Sequence, residues 1–238
     1  MKRLVLNLLA LALVAGFVSL GRWQLDRGQA KRVQLAQAEA ALAAAPRALA
    51  ARPRPLAAAS RIADGIDRVA GDGRFLDTPV LWLDNQRRGD RVGVRLYCGY
   101  AADGGGPLLV DVGWLPLPPT RELPASGCPH GARHVAGLLV PPPAVGLRLG
   151  PGLVSQDGAW LATRVETAAV AAAWSLREPL APRVLRLDPA LPFGHARDLA
   201  LLANTLPPDK HRGYAVQWFG LAATTLVVAL VLNLRRRP

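Results

Sequence analysis

LVLNLLALALVAGFVSL at Leu4–Leu20 and YAVQWFGLAATTLVVALVLNL at Tyr214–Leu234 are the two long apolar stretches of this chain, with nothing comparable between them. The first carries no charge and follows Lys2-Arg3; the second stops at Arg235-Arg236-Arg237. A bilayer core is crossed by roughly 20 apolar helical residues, with about 17 at the low end. Both stretches are therefore read as spans. The layout this gives is a short terminus at 1–3, a first span at 4–21, a domain at 22–213, a second span at 214–234 and a short terminus at 235–238. It excludes a cytosolic enzyme and a multi-span transporter together.

A secretory signal is the rival reading of the first stretch, because Ser19-Leu20-Gly21 offers small residues around a cleavage point. The apolar run is longer than a signal's apolar core, however, and continues into Arg22-Trp23-Gln24-Leu25 without a break in helical character. An anchor is the better reading. In the second stretch Gln217, Thr224, Thr225 and Asn233 are the clearly polar side chains. Threonine hydroxyls can bond back to the helix backbone in lipid. Asp209, after Pro207-Pro208, reads as the N-cap of the second span. Tyr214, Trp218 and Trp23 lie where an interfacial aromatic belt belongs.

The basic ends set the orientation. Lys2-Arg3 and Arg235–Arg237 both favour the cytoplasm, and an even number of spans satisfies both. Arg22, Arg27, Lys31 and Arg32 on the far side of the first span oppose this, but long domains translocate largely regardless of charge. The expected placement is the cell inner membrane, with both termini cytoplasmic and the middle periplasmic.

The net charge of +12 arises from 29 basic and 17 acidic residues. Five of the basic residues lie outside the spans, which leaves a domain of net +7. No run of Lys or Arg interleaved with aromatics occurs in it, so no nucleic-acid partner is expected. Attraction to anionic headgroups of the lipid bilayer accounts for the same charge.

The domain reads as α+β. Leu25–Ala45 continues as a helix until Pro46, with Pro53 and Pro55 beyond it. Short segments rich in Val, Leu and aromatics follow at Arg68–Leu76, Pro79–Asn85, Val92–Tyr100 and Pro107–Leu115, separated by turns at Asn85–Asp90 and Asp103–Gly106. Further strands are expected at His134–Val140 and Pro182–Leu187, a helix at Glu166–Trp174, and loops at Pro116–Pro129 and Val140–Pro151. The architecture this predicts is two transmembrane helices flanking an antiparallel, β-rich, small barrel-like domain.

Site chemistry is sparse. Cys98 and Cys128 could pair in an oxidising compartment, but two cysteines make no disulfide framework, and the plainer reading is two unrelated thiols. Cys128, His130 and His134 could supply three zinc ligands, but Pro129 and Gly131 break any helix aligning them and no fourth ligand is evident; a solvated loop is the plainer reading. Asp84, Asp90, Asp103 and Asp111 fall at turns and strand ends, where Asp usually forms Asx turns. No nucleophile elbow, P-loop or H-E-x-x-H occurs. A hydrolase built on His195 or His211 therefore lacks an activated nucleophile. His211 stands just outside the second span, and on a helix it shares a face with Tyr214 or Ala215 and with Trp218. Such an imidazole could ligate a haem iron or could simply sit among headgroups.

Taken in order, these residues resemble the Surf1 family of cytochrome c oxidase assembly proteins. Gly21-Arg22-Trp23-Gln24-Leu25-Asp26-Arg27 resembles its G-x-W-Q-L-x-R signature. Val69-Ala70-Gly71 with Phe75-Leu76, and Leu83-Asp84-Asn85-Gln86, resemble its early strands. Leu108–Pro116 is similar to its L-V-N-R-G-W-V-P strand. His211–Phe219 resembles its H-x-x-Y-A-x-Q-W-F segment. Asp111-Val112 departs from the family's Asn-Arg, Gln86 stands in place of Arg, Val92-Gly93-Val94 only approximates the family's pattern, and Pro141–Pro151 matches poorly. The resemblance implies an assembly factor rather than an enzyme, with haem a as cofactor. The oxidase catalytic subunit and the haem a synthesis machinery are the implied partners. It implies His211 as the residue on the haem iron, and the expected cofactor-binding set is His211 with the interfacial aromatics Tyr214, Trp218 and Trp23. A cofactor-free two-span scaffold of a respiratory complex is the alternative.

Overall fold

A computed structural model describes residues 2–49, 65–143, 150–199 and 206–235. The described residues fall into two compact units, one formed by the chain ends (1–35 and 205–238) and one by residues 36–204. Among the described residues the helices are α1 (Lys2–Ala43), α2 (Thr167–Ala173) and α3 (Pro208–Arg235). α1 and α3 are each long and apolar enough to cross a membrane. The class is α+β, as the sequence pattern predicts.

In the terminal unit α1 and α3 run antiparallel. Asn233 bonds to Asn7 near one end and His211 to Gln24 near the other. The seam has a period of 3.5. On α1 the shielded positions are Ala10, Val14, Phe17, Gly21, Gln24, Gly28 and Lys31. On α3 they are Pro208, His211, Ala215, Trp218 with Phe219, Ala222, Thr225 and Ala229. Alternating steps of four and three are the signature of left-handed helix packing, and small residues let the backbones approach in lipid. A Cβ on Gly21 would lie 2.6 Å from the Phe219 ring. Phe17 stacks on Trp218 at 5.8 Å between ring centroids. The first helical residue of α3 is Pro208, which needs no N–H partner there. Asp209, expected as the cap, lies inside the first turn, where its charge suits the helix dipole.

The second unit is a ten-stranded mixed sheet. Its strands are β1 (Arg47–Ala48), β2 (Asp67–Gly71), β3 (Gly73–Phe75), β4 (Leu81–Arg88), β5 (Arg91–Ala102), β6 (Pro107–Pro116), β7 (Val135–Val140), β8 (Leu153–Gln156), β9 (Ala159–Ala162) and β10 (Val184–Leu187). The hydrogen-bonded order is β1-β2-β7-β10-β6-β5-β4-β9-β8, with β3 on β5. Three pairs are parallel (β1 with β2, β10 with β6, β4 with β9), so the sheet is not purely antiparallel as the short spacing suggests. Between β6 and β10, and between β4 and β9, the chain passes through other strands, so the later strand can return beside the earlier one in the same direction.

The central strands are buried on both faces. Val94, Leu96, Cys98 and Tyr100 pack with Trp82, Val110 and Leu185 on one side. Leu81, Tyr97, Leu109 and Leu138 pack on the other, beneath α2 through Val170 and Trp174. This two-sided burial explains why β5 and β6 read as continuous apolar runs. α2 has no side-chain cap and only seven residues. Helices that short are not stable alone, so its packing on the sheet holds it.

β4 extends through Arg88, past the expected turn at Asn85. The register shifts between Leu83 and Gln86, and Asn85 sits at φ 55°. The Asp-Asn step is a β-bulge rather than a turn. A hairpin of β8 and β9 falls where no strand is expected. Its turn, Asp157-Gly158, has φ of 51° and 78°, the Asp-Gly pattern of a type I′ hairpin. The expected loop at Pro116–Pro129 is present, and that at Val140–Pro151 lies partly outside the described residues, as do Pro53 and Pro55.

Cys98 and Cys128 are bonded to each other, with 5.7 Å between their Cα atoms. This corrects the expectation of unrelated thiols. The segment after β6 folds back over the sheet, pinned by Phe75 N–H to the Gly131 carbonyl, Arg133 N–H to the Gly73 carbonyl and Tyr100 hydroxyl to the Arg133 carbonyl. That path delivers Cys128 onto the β5 face. The bridge closes a 30-residue separation. Replacing both cysteines with serine should lower unfolding stability by roughly 2–4 kcal/mol in the chain-entropy account, measurable by urea unfolding of the oxidised and variant proteins.

Candidate functional site

His211 is 7% exposed, on the first turn of α3. Its Nδ1 lies 2.6 Å from Oε1 of Gln24 on α1. An amide oxygen only accepts, so Nδ1–H donates and the neutral ring keeps a lone pair on Nε2. That Nε2 is buried and has no hydrogen-bond partner among the described residues. Gly28 makes room for this arrangement: a Cβ there would lie 3.2 Å from the His211 Cβ and 3.3 Å from the Pro208 carbonyl oxygen. Lys31 Nζ donates to the Leu206 carbonyl one turn further along, which ties down the chain just before α3.

A buried imidazole with one nitrogen held and the other bare is a metal ligand's arrangement. The outer hydrogen bond fixes the tautomer and aims the ring, and the free nitrogen is the donor. Gln24 is the residue that sequence reasoning missed. It lies inside the Gly21–Arg27 signature, but only the antiparallel pairing brings it to a residue 187 positions away.

The other expected site residues are dispersed. Trp218 lies on the seam and stacks on Phe17 rather than on His211. Tyr214 is 43% exposed and Trp23 is 52% exposed. Trp23 has the Arg27 guanidinium over its ring at 6.0 Å. Between Tyr214 and Ala215, the residue that shares the inward face with His211 is Ala215, 1% exposed. The structure brings together His211, Gln24 and Gly28, and leaves Trp23 and Tyr214 on the outer flanks.

In the sheet unit, Cys128 is consumed by the disulfide and cannot join His130 and His134 as a ligand. His134 Nδ1 instead meets Asp72 Oδ1 at 2.9 Å. No group of three potential metal-holding residues occurs among the described residues. His195 Nε2 meets the Ser126 hydroxyl at 2.9 Å. Burial, then the Arg197 charge, holds its pKa below the usual histidine range. The segment that carries it is clamped to β6 by His195 N–H to the Val112 carbonyl and Trp114 N–H to the Ala196 carbonyl. Gly113, at φ 129°, allows that approach, since a Cβ would lie 2.8 Å from the His195 carbonyl carbon.

Asp111, where the family resemblance departs, is not a turn residue. It is 3% exposed in the middle of β6. Its carboxylate accepts from Arg95 at 2.8 Å and from the Gly113 N–H at 3.1 Å, with Arg186 at 3.7 Å. Burial opposes the charge on Arg95 and Asp111 favours it, and the net direction of its pKa is upward.

The model of the SURF1 family matches residues 11–223. The chain belongs to the SURF1 family. At family level it is a cytochrome c oxidase assembly factor, and its two apolar terminal helices fit a two-span membrane protein of that kind. No curated protein matches the chain. The match takes in both Gln24 and His211, so the seam that joins them lies inside the family's extent.

The tautomer is directly testable. In protein with 15N-labelled histidine, His211 should show a protonated Nδ1 and an unprotonated, pyridine-like Nε2. In Gln24→Leu the two tautomers should mix, because the acceptor that selects between them is gone. An Nε2–H signal for His211 in the unaltered protein would overturn the assignment.

Proposed function

We propose that this SURF1-family protein assists insertion of haem a into the catalytic subunit of the oxidase, holding the haem through His211 at the membrane surface. The observation that carries the reading is the buried, unpartnered Nε2 of His211, with Nδ1–H held by Gln24. When bound, haem would supply an iron that takes an imidazole lone pair, and His211 Nε2 would be the atom that holds it. Gln24 keeps the ring from rotating and keeps the proton off Nε2. Gly28 leaves the space for the His211 Cβ and the Pro208 carbonyl beside it. Nε2 is covered, so it becomes available only where the groups over it part. Tyr214 and Trp23 flank this level with exposed rings that favour the interface. The haem a synthesis machinery is the proposed donor and the catalytic subunit the proposed recipient.

The same reading places the protein in the inner membrane, with the sheet unit in the periplasm. The basic residues at both chain ends support cytoplasmic termini. The Cys98–Cys128 bond supports an oxidising compartment for the domain.

The protein purified from haem-a-producing cells should carry a haem absorption band. His211→Ala should lose it at unchanged protein level, together with oxidase activity in the host. Undiminished haem in that variant would remove His211 as ligand, and a colourless unaltered protein would favour a cofactor-free scaffold.

Topology has a separate readout. A reporter active only in the periplasm should be inactive when fused after Arg237 and active when inserted at Gly105. The opposite pattern would invert the orientation.

A further inference from the structure

α1 and α3 enclose a groove of about 340 Å3 at the end of the helix pair that carries the chain termini. Leu6, Ala10, Leu13, Val228, Ala229 and Leu232 form its apolar length, and Arg3, Asn7 and Asn233 stand at its mouth. Ala10 and Ala229 belong to the seam. Their methyl groups leave a trough that the flanking leucines do not fill.

The mouth is polar in a directed way. Asn233 Nδ2 donates to Asn7 Oδ1 at 2.9 Å and to the Ala229 carbonyl at 2.9 Å. Both side chains are exposed. The Asn7 amide keeps its N–H donors without a protein partner among the described residues. Donors without acceptors are costly next to hydrocarbon, and they stand here beside basic residues. Both chain ends are basic in sequence, with Lys2-Arg3 at one and Arg235–Arg237 at the other, and no Asp or Glu occurs before Asp26 or after Asp209. The ligand chemistry this calls for is an anionic, acceptor-rich head on an alkyl tail.

We infer that the groove is a binding site for one anionic phospholipid, its acyl chain lying along Ala10 and Ala229 and its phosphate at Asn7 and Arg3. The volume suits a single lipid chain: about 340 Å3 sits at the small end of ligand sites, roughly 300–1,000 Å3. Charge separates it from a zwitterionic lipid, because each basic residue near an anionic head favours it by on the order of fivefold. The position agrees: Asn7 is about 6 Å along the helix from Arg3, the depth of a glycerol-phosphate region.

Native mass spectrometry of the full chain tests this. The protein is equilibrated in detergent with equimolar phosphatidylglycerol and phosphatidylcholine of the same acyl chains. One phosphatidylglycerol should be retained per chain, in severalfold preference to phosphatidylcholine. Ala229→Phe and, independently, Ala10→Phe should abolish retention by filling the trough, with helical content by circular dichroism unchanged. Arg3→Gln should keep a bound lipid but lower the preference by about fivefold. Equal retention of the two lipids would overturn the anionic site. A lipid that survives both phenylalanine variants would overturn its location. A second copy of the chain retained in place of lipid would assign the groove to self-association and overturn the proposal.

Discussion

Close approach of α1 and α3 is the constraint on which the terminal unit depends. In hydrocarbon no hydrophobic effect drives two helices together, so contact rests on packing and on hydrogen bonds across the seam. Gly21 admits the Phe219 ring and Gly28 admits His211, and any side chain at either position would meet those groups inside 3.3 Å. Without that approach the Gln24 amide does not reach Nδ1. One 3.5-residue repeat thus sets the helix spacing, the imidazole tautomer and the trough at Ala10 and Ala229.

The sheet unit solves a different problem. Its central strands are buried on both faces, so it has little room for charge, yet Arg95, Asp111 and Arg183 are all nearly inaccessible. Each charge is paired: Arg95 with Asp111 at 2.8 Å, and Arg183 with Asp67 at 2.8 Å. Removing one partner of such a buried pair typically costs about 3–5 kcal/mol, because the other charge is stranded. The first pair joins the adjacent strands β5 and β6, and the second reaches from the residue before β10 past β7 to β2, 116 positions away in the sequence. Together with the disulfide they fix register where uniform Val and Leu would tolerate slippage.

Much of this was legible from residue order. Two uninterrupted apolar runs specify two spans because lipid leaves the backbone no alternative to a helix. The main strands are announced by Val, Leu and aromatic segments between Gly and Pro turns. What the sequence hides is whatever depends on a path through space. Cys128 meets Cys98 only because the loop after β6 folds back. Asp111 reads as a turn residue because its partner Arg95 is on another strand. The parallel pairs need crossovers whose direction no local pattern encodes. The hairpin at Asp157-Gly158 is different. Its turn signal stands in the sequence, and its strands are short and half exposed, so the flanking periodicity is weak.

Gln24 and His211 show where the boundary lies. Each sits in a recognisable local motif, and a helical wheel places each on an inward face. Neither wheel says which residue lies opposite, because the register between antiparallel helices is set by bulk, here Gly21 under Phe219 and Phe17 against Trp218. The steric contacts come first and the polar contact follows from them. A polar pair across membrane helices averages only about 0.6 kcal/mol, too little to choose a register alone. The His211–Gln24 bond is therefore a consequence of packing, and its value lies in which nitrogen it leaves bare.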